Sequence, residues 1–359
     1  MSHTHTSSLR APHPTWGIIV FILIAAIGLY FVKWSPYYDR SFVAAETHSI
    51  GASILAGADG AVPAASWQAA LDYAIRYGKA IWQAMLLGLL LGSALQALLP
   101  SQWIRRCLGG LSMGSVVAGG LLAIPSMMCT CCSAPVVAGM RRCQAGPGST
   151  VAWWLGNTML NPATLVFMGF VLGWHWAGLR LGLGLAMVLS LGWLLNRINR
   201  GADRPDMQEA LPMDPEEPEQ SMRAGAILQR WARLFAGMAM RLLPEYLILV
   251  LLLGAARAWL FPVIDISVDN SLLWIVGAAV VGMLFVIPTA GEVPMVQAML
   301  SLGVAAGPAA ALLMTLPPIS LPSLAMVAKA FKPKELAALM ASVVGFGVLA
   351  AGLAIGLGF

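Results

Sequence analysis

Three of the five cysteines of this chain lie together, in the sequence Cys129-Thr130-Cys131-Cys132. Thiolates are soft donors that favour Cu(I), Zn(II) and trivalent arsenic, and the thioether of Met128 suits Cu(I) as well. Thiols this close in sequence can supply two or three ligands without the folding of distant segments. The cluster therefore predicts a site for a soft metal or metalloid, with Cys129, Cys131, Cys132 and Met128 as its ligands.

Cysteine is also a small residue that packs well in membrane helices, so its position has to decide between packing and binding. Pro125 precedes the cluster and Pro135 follows it, which predicts a break in the helix. Irregular backbone at membrane depth is tolerated where it lines a cavity. The position between prolines therefore favours binding. Cys107 and Cys143 are single cysteines beside arginines at span ends, and packing explains them.

Glu292 is the second candidate site residue. It stands between Pro288 and Pro294, and no other ionisable residue lies between Asp269 and Lys329. A carboxylate at membrane depth is costly, which indicates a function in proton coupling or cation binding. Alternatively, the two prolines hold Glu292 near the outer surface, where water solvates its carboxylate and no function is implied.

Asn161 is the third candidate, because Pro162 follows it and breaks an apolar segment. A proline inside a helix frees backbone carbonyl groups. Asn161 could bind these carbonyls or contact a substrate. A simple kink without a binding role explains the pair equally well.

The composition places these residues in a membrane. Of 359 residues, 59% are hydrophobic and 10% are charged, and the mean hydropathy is +0.78, whereas a soluble domain is about a quarter charged. The basic residues stand at the ends of apolar runs, which is typical of membrane topology and excludes a nucleic-acid surface. No P-loop or HExxH motif is present, so we expect neither ATP-driven pumping in this chain nor a cofactor.

Apolar runs of about 20 residues predict an all-α polytopic membrane protein. The first run is longer than a signal-peptide core, so we expect it to be retained as an anchor. Two further segments, 111–143 and 273–302, contain prolines and have short second legs, which predicts broken or re-entrant helical hairpins. The predicted spans are 16–32, 80–99, 151–171, 176–195, 242–261, 309–328 and 336–357.

The two hairpins belong to an internal repeat, in which matching residues are separated by a nearly constant number of positions in the chain. The matching pairs are Leu89–Ala94 with Leu251–Ala256, Ile124-Pro125 with Ile287-Pro288, Gly146-Pro147 with Gly307-Pro308, and Asn161-Pro162 with Leu321-Pro322. Each copy holds three spans and a hairpin that returns the chain to its starting side. The chain therefore crosses the membrane an odd number of times in each copy. The copies are therefore predicted to be inverted, as in many secondary transporters with facing broken helices.

Basic residues in short loops gather on the cytoplasmic side, which gives an orientation. It places the N-terminus in the cytoplasm, the C-terminus outside and the loop 33–79 outside. The predicted units are an N-terminal tail, first helix and outer loop (1–79), a first repeat (80–195), a cytoplasmic linker (196–241) and a second repeat (242–359).

Several of these motifs together resemble a known family. They are Ile124-Pro125, the Cys-x-Cys of Cys129 and Cys131, Ala134-Pro135-Val136-Val137, Arg141-Arg142, Gly146-Pro147 and Asn161-Pro162. The sequence over residues 75–355 resembles the predicted permease family that includes the ArsP organoarsenical efflux permeases and YraQ-like proteins. The resemblance implies a bacterial inner-membrane permease, with export of trivalent organoarsenicals or soft metals. The family's usual Cys-x-Cys-Gly turn ends here in Cys132-Ser133, which leaves the substrate open.

The main functional hypothesis is a secondary permease that exports a soft metal or metalloid, with Glu292 taking a proton during the return step. One alternative is a membrane thiol oxidoreductase that uses Cys129 and Cys131 as a redox pair. Another is a permease for a sulfur-containing anion, guided by Arg141 and Arg142. The oligomeric state is left open.

Overall fold

The structure is a computed structural model that describes residues 14–51, 53–54, 63–64, 66–200, 224–260 and 268–359. All regular secondary structure in these residues is helical, which confirms the predicted all-α class. The helices are α1 (Pro14–Leu29), a π-helical turn (Tyr30–Trp34), α2 (Ser35–Thr47), α3 (Trp67–Leu98), α4 (Ser101–Leu108), α5 (Met113–Ala123), α6 (Thr130–Arg142), α7 (Pro147–Met159), α8 (Pro162–Val171), α9 (Trp174–Ile198), α10 (Ala224–Leu260), α11 (Leu272–Leu284), α12 (Glu292–Ser301), α13 (Ala306–Thr315), α14 (Leu321–Val327) and α15 (Pro333–Leu357).

Among the described residues, five helical segments are long and apolar enough to cross a membrane. They correspond to the predicted spans 16–32, 80–99, 176–195, 242–261 and 336–357. They are Trp16–Thr47, Trp67–Leu98, Trp174–Ile198, Gly225–Arg257 and Pro333–Leu357. The polytopic membrane class predicted from composition is confirmed.

Three of these segments extend well beyond the predicted spans. The first helix continues to Thr47, through residues that were predicted as outer loop. The predicted interfacial helix before residue 80 is continuous with α3. Helix α10 begins at Ala224, so residues 224–241 of the predicted linker are helical, and Pro244 is accommodated inside the helix. Residues 201–223 of that linker lie outside the described residues.

The predicted spans 151–171 and 309–328 are not continuous helices, and each is replaced by two short ones. Helix α7 ends before Asn161, and α13 ends before Ser320. Each following helix has a proline in its first turn, where the missing N–H costs nothing. The side chains of Asn161 and Ser320 cap these helices by accepting backbone N–H bonds. The proline positions therefore mark true helix breaks rather than kinks.

Both predicted hairpins contain a break in the helix. The first break (residues 124–129) separates α5 from α6, and the second (residues 285–291) separates α11 from α12. At about 1.5 Å per residue, the 13 residues of α6 and the 10 residues of α12 fall short of a bilayer core of about 30 Å. Neither second leg can span a membrane alone.

The two halves repeat the same order of helix lengths after each break. Helices α6 to α9 and α12 to α15 are each three short helices followed by a long one. The packing is also reciprocal, because α6 contacts α14 while α12 contacts α8. This order agrees with the predicted repeat, whose inversion across the membrane stays a prediction.

Helix α3 packs with its backbone directly against the start of α6. A Cβ atom added at Gly88 would overlap the carbonyl oxygen of Cys132, and one at Gly92 would meet the carbonyl of Pro135. Glycine permits this approach because it has no side chain. The position of the cysteine cluster is therefore set by contact with α3.

Candidate functional site

The two breaks meet at one small cavity, which has room for about one water molecule. Its walls come from both halves of the chain. They are Cys129, Thr130, Thr158, Thr164 and Arg180 from the first half, and Ile287, Pro288, Thr289, Ala290, Glu292 and Pro317 from the second. The structure thus brings two of the sequence-predicted residues, Cys129 and Glu292, to the same small cavity.

Glu292 begins α12 and forms an ion pair with Arg180 of α9, at 2.5 Å between Oε1 and Nη1. Both side chains are buried, with exposed fractions of 2% and 1%. Arg180 also donates from Nη2 to the carbonyl oxygen of Thr158 at 2.8 Å. Glu292 is therefore not solvated at an outer surface, and its ion pair bridges the two halves across the cavity.

Arg180 was not among the site residues predicted from sequence, although a signal for it was present. Arg180 is the only ionisable residue in the predicted span 176–195. The cost of an intramembrane charge, which singled out Glu292, applies equally to an arginine. Its Nε has no hydrogen-bond partner among the described residues, which leaves one buried donor beside the cavity.

Cys129 caps the N-terminus of α6, and its sulfur accepts a hydrogen bond from the backbone N–H of Cys132 at 3.4 Å. The side chains of Cys129 and Cys132 also interact with each other electrostatically. Cys131 contacts Ser320 instead, with 3.6 Å between Sγ and Oγ. Residues three apart in sequence, such as Cys129 and Cys132, share a helix face, whereas residues two apart, such as Cys129 and Cys131, do not. The side chain of Cys131 therefore points away from the other two.

A metal site formed by Cys129, Cys131, Cys132 and Met128 stays a prediction. Within the described residues, no group of three His, Cys, Asp or Glu side chains is placed to hold a metal ion. The arrangement instead presents a pair of thiols, Cys129 and Cys132, with Cys129 lining the cavity. Cys129 and Cys131, the predicted redox pair, make different contacts.

Asn157, which the sequence analysis also missed, holds the first break. Its Oδ1 accepts hydrogen bonds from the Ser126 hydroxyl and from the backbone N–H of Met128. Its Nδ2 donates to the carbonyl oxygen of Trp153 at 2.7 Å. Asn161 acts as the cap of α8 and is not part of the cavity lining, and its buried Nδ2 has no hydrogen-bond partner among the described residues. A substrate contact by Asn161 stays a prediction.

The second break is held by two tyrosines of α3. The hydroxyl of Tyr73 donates to the carbonyl oxygen of Val286 at 2.5 Å, and that of Tyr77 donates to Ile287 at 3.2 Å. The rings of Tyr73 and Tyr77 stack at 5.9 Å. Backbone groups in a bilayer need internal partners, and α3 supplies them here. The glycines of α3 pack against the start of α6, which follows the first break.

The side chains of Arg141 and Arg142, at the C-terminal end of α6, form hydrogen bonds within the protein. Arg141 donates to the carbonyl oxygens of Ala330 and Ala145 and lies 5.3 Å from the centre of the Phe331 ring. Arg142 donates to the side chain of Gln96 at 3.1 Å. Neither side chain reaches the cavity lining, so both connect helices rather than contact the central site.

Comparison with known proteins places this sequence in a family. The model of the family ArsP_1, described as a predicted permease, matches residues 13–155 and 81–357. The chain belongs to this permease family. It is 49% identical to the UPF0718 protein YraQ of Escherichia coli (strain K12) over 355 residues, which cover 99% of each chain. No solved structure matches.

Membership of the permease family confirms the resemblance carried by the cysteine, proline and asparagine motifs. It supports a multi-pass membrane transporter rather than an enzyme. A permease needs a place where its cargo is enclosed between two gates. The cavity between the two breaks is the candidate for that place.

Proposed function

We propose that the chain is a secondary permease of the bacterial inner membrane that exports a soft metalloid species, such as a trivalent organoarsenical. The cavity has room for only about one water molecule while the two halves are together, so the cargo binds between the two breaks when the halves separate, with Cys129 and Cys132 as its ligands. The observation that carries this proposal is that Cys129, at the N-terminus of α6, lines the same cavity as the Arg180–Glu292 ion pair.

The pair of thiols favours a metalloid over a caged metal ion. Each bond from arsenic to sulfur replaces a bond from arsenic to hydroxyl, and the thiol proton leaves with that hydroxyl as water. Two adjacent thiols are sufficient for such a cargo, whereas structural zinc sites use four ligands. Zn(II), which takes four ligands, would require further donors such as Cys131, whose sulfur contacts Ser320.

The transport cycle follows from the position of the ion pair. Glu292 belongs to the second half and Arg180 to the first, so the pair holds the halves together while the cavity is closed. Rocking of one half against the other is the usual route to alternating access in repeat transporters. Opening then separates the pair. Uptake of a proton by Glu292 at that step would couple export to the proton gradient.

The exchange Cys129→Ser tests the proposal, with Cys107→Ser as the matched control because Cys107 is exposed. We expect Cys129→Ser to lose cellular resistance to methylarsonous acid and its uptake into everted vesicles, at unchanged expression. Cys107→Ser should retain both activities. Full resistance and uptake in the Cys129→Ser variant would overturn the proposal.

A sulfur-containing anion is the second candidate cargo, because the guanidinium of Arg180 lines the cavity with one unpaired donor. Competition in proteoliposomes separates the two cargoes. Inhibition of arsenical uptake by thiosulfate, together with uptake of labelled thiosulfate itself, would favour the anion. Thiosulfate without effect would favour the metalloid.

A further inference from the structure

A second set of contacts joins the two halves of the chain, at the loop between α14 and α15 (residues 328–332). Phe331 of this loop belongs to the second half. Its ring is stacked on that of Trp154 of α7, with 6.4 Å between the ring centres and 13° between the ring planes. The guanidinium group of Arg141 of α6 lies 5.3 Å from the centre of the same Phe331 ring. Two helices of the first half therefore hold Phe331.

Hydrogen bonds hold the loop on both sides of Phe331. Arg141 donates from Nε to the carbonyl oxygen of Ala330 at 3.1 Å. The carboxylate of Glu335 is fully buried, and its Oε2 accepts from the backbone N–H of Lys332 at 2.7 Å. Its Oε1 accepts from Nδ2 of Asn199, the C-cap of α9, at 2.5 Å. The loop and the start of α15 are thus tied to α6, α7 and α9 of the first half.

Trp154 connects this loop to the central cavity. Its side chain is fully buried, and its Nε1 donates to the carbonyl oxygen of Thr130 at 3.2 Å. Thr130 lines the cavity together with Cys129. A continuous line of contacts therefore runs from the cavity wall through Trp154 and Phe331 to Arg141. In this line, the two aromatic rings stand between the cavity wall and the C-terminal end of α6.

The ion pair and the loop attach to α9 near its opposite ends. Arg180, which pairs with Glu292, and Asn199, which bonds to Glu335, are 19 positions apart in the sequence. At about 1.5 Å per residue, the two attachment points are about 28 Å apart along the helix. This distance is close to the thickness of a bilayer core, which is about 30 Å. The two halves are therefore joined near both ends of α9, and only the Arg180 end borders the cavity.

Basic residues surround the loop. Lys329 and Lys334 are exposed on either side of Phe331, whose own exposed fraction is 5%. Basic residues in short loops gather on the cytoplasmic side of a membrane. Phe331 is thus a buried ring beside the surface that is predicted to face the cytoplasm.

We propose that Phe331 is the cytoplasmic gate of the cargo site. Its ring closes the route from the cytoplasm to the cavity while it packs against Trp154 and Arg141. The gate opens when the loop moves away from α6 and α7, while the ion pair of Arg180 and Glu292 keeps the other side closed. Cargo enters past Phe331 and leaves after the ion pair separates. The inference rests on the proposed function, because it assigns the gate of the same cargo site.

The test is the rate at which a charged, membrane-impermeant reagent reaches Cys129 from each side of the membrane. The reagent is trimethylammonioethyl methanethiosulfonate, which forms a mixed disulfide with the thiol and releases methanesulfinate. In everted vesicles, which expose the cytoplasmic face, we expect Phe331→Ala to speed labelling of Cys129 roughly tenfold, because the lost ring leaves a gap beside Trp154. In spheroplasts, which expose the outer face, the rate should not change.

Two further variants accompany Phe331→Ala. Phe346→Ala removes a partly buried ring from α15 of the same half, outside the loop, and should leave both rates unchanged. Arg141→Met removes the group that holds the loop at Ala330, and it should also speed labelling from the cytoplasmic face. It replaces Phe331→Ala if that variant does not fold. The exposed Cys107, resolved by mass spectrometry in every sample, is the internal reference.

An unchanged cytoplasmic rate in a folded gate variant overturns the proposal. Equal acceleration from both faces overturns it as well, because that result would indicate a general loosening of the fold. The labelling is measured without cargo. Full resistance in the Cys129→Ser variant would therefore overturn the proposed cargo and leave the gate result intact. Failure of the gate would likewise leave the outcome of the Cys129→Ser test unaffected.

Discussion

Replacement of Arg180 by methionine is expected to destabilise the folded protein by about 3–5 kcal/mol. The exchange leaves the carboxylate of Glu292 buried without its partner and frees the carbonyl oxygen of Thr158. Export should be lost as well, because the two halves lose the ion pair that joins them. The measurement is unfolding of the purified protein in mixed micelles, combined with vesicle uptake.

Two variants show whether the effect belongs to the ion pair. Arg197→Met lies on the same helix at an exposed position, and we expect it to change stability by less than about 0.5 kcal/mol. The double variant Arg180→Met with Glu292→Met removes both charges and should recover most of the lost stability without recovering export. A fully stable and active Arg180→Met protein would show that the ion pair has neither role.

Replacement of Gly88 by alanine is expected to displace α6 from α3 and to abolish export. The added methyl group would overlap the carbonyl oxygen of Cys132, and a backbone atom cannot move aside as a side chain can. Overpacking of this kind costs about 1–3 kcal/mol and sometimes more. The pair of Cys129 and Cys132 would move with α6. Thermal unfolding and vesicle uptake measure the two consequences.

Gly78 provides a matched control on the same helix, because nothing lies within 4 Å of a Cβ atom added there. Gly78→Ala should be neutral or stabilising by up to about 1 kcal/mol, since alanine favours the helix over glycine. Equal stability and uptake in the two alanine variants would contradict the close contact between α3 and the cysteine cluster.

The membrane class and the two breaks could be predicted from sequence because they depend on local properties. Apolar runs need lipid, and proline ends a helix wherever it occurs. Pro162 and Pro322 marked their breaks, although the segments around them were predicted as spans. The start of α10 at Ala224 was missed because its first residues lack the strong hydropathy on which span prediction depends.

The arrangement of the site depended on contacts that the sequence does not display. Cys131 was grouped with its neighbours by spacing, but the rotation of α6 directs it to Ser320. Lys33 was placed in a loop because hydropathy falls after residue 32, whereas the helix continues and buries it. Arg180 could have been found by the rule that found Glu292. The pairing of Arg180 with Glu292 could not be predicted, because the two residues are 112 positions apart.

Protection of Cys129 by cargo during transport tests directly whether the cargo binds between the two breaks. Proteoliposomes are incubated with increasing methylarsonous acid, and uptake and iodoacetamide labelling of Cys129 are measured in the same samples. The cavity between the breaks predicts that labelling of Cys129 falls in step with the saturation of uptake, while labelling of Cys143 does not change. Undiminished labelling of Cys129 at saturated uptake would place the cargo elsewhere and contradict the account.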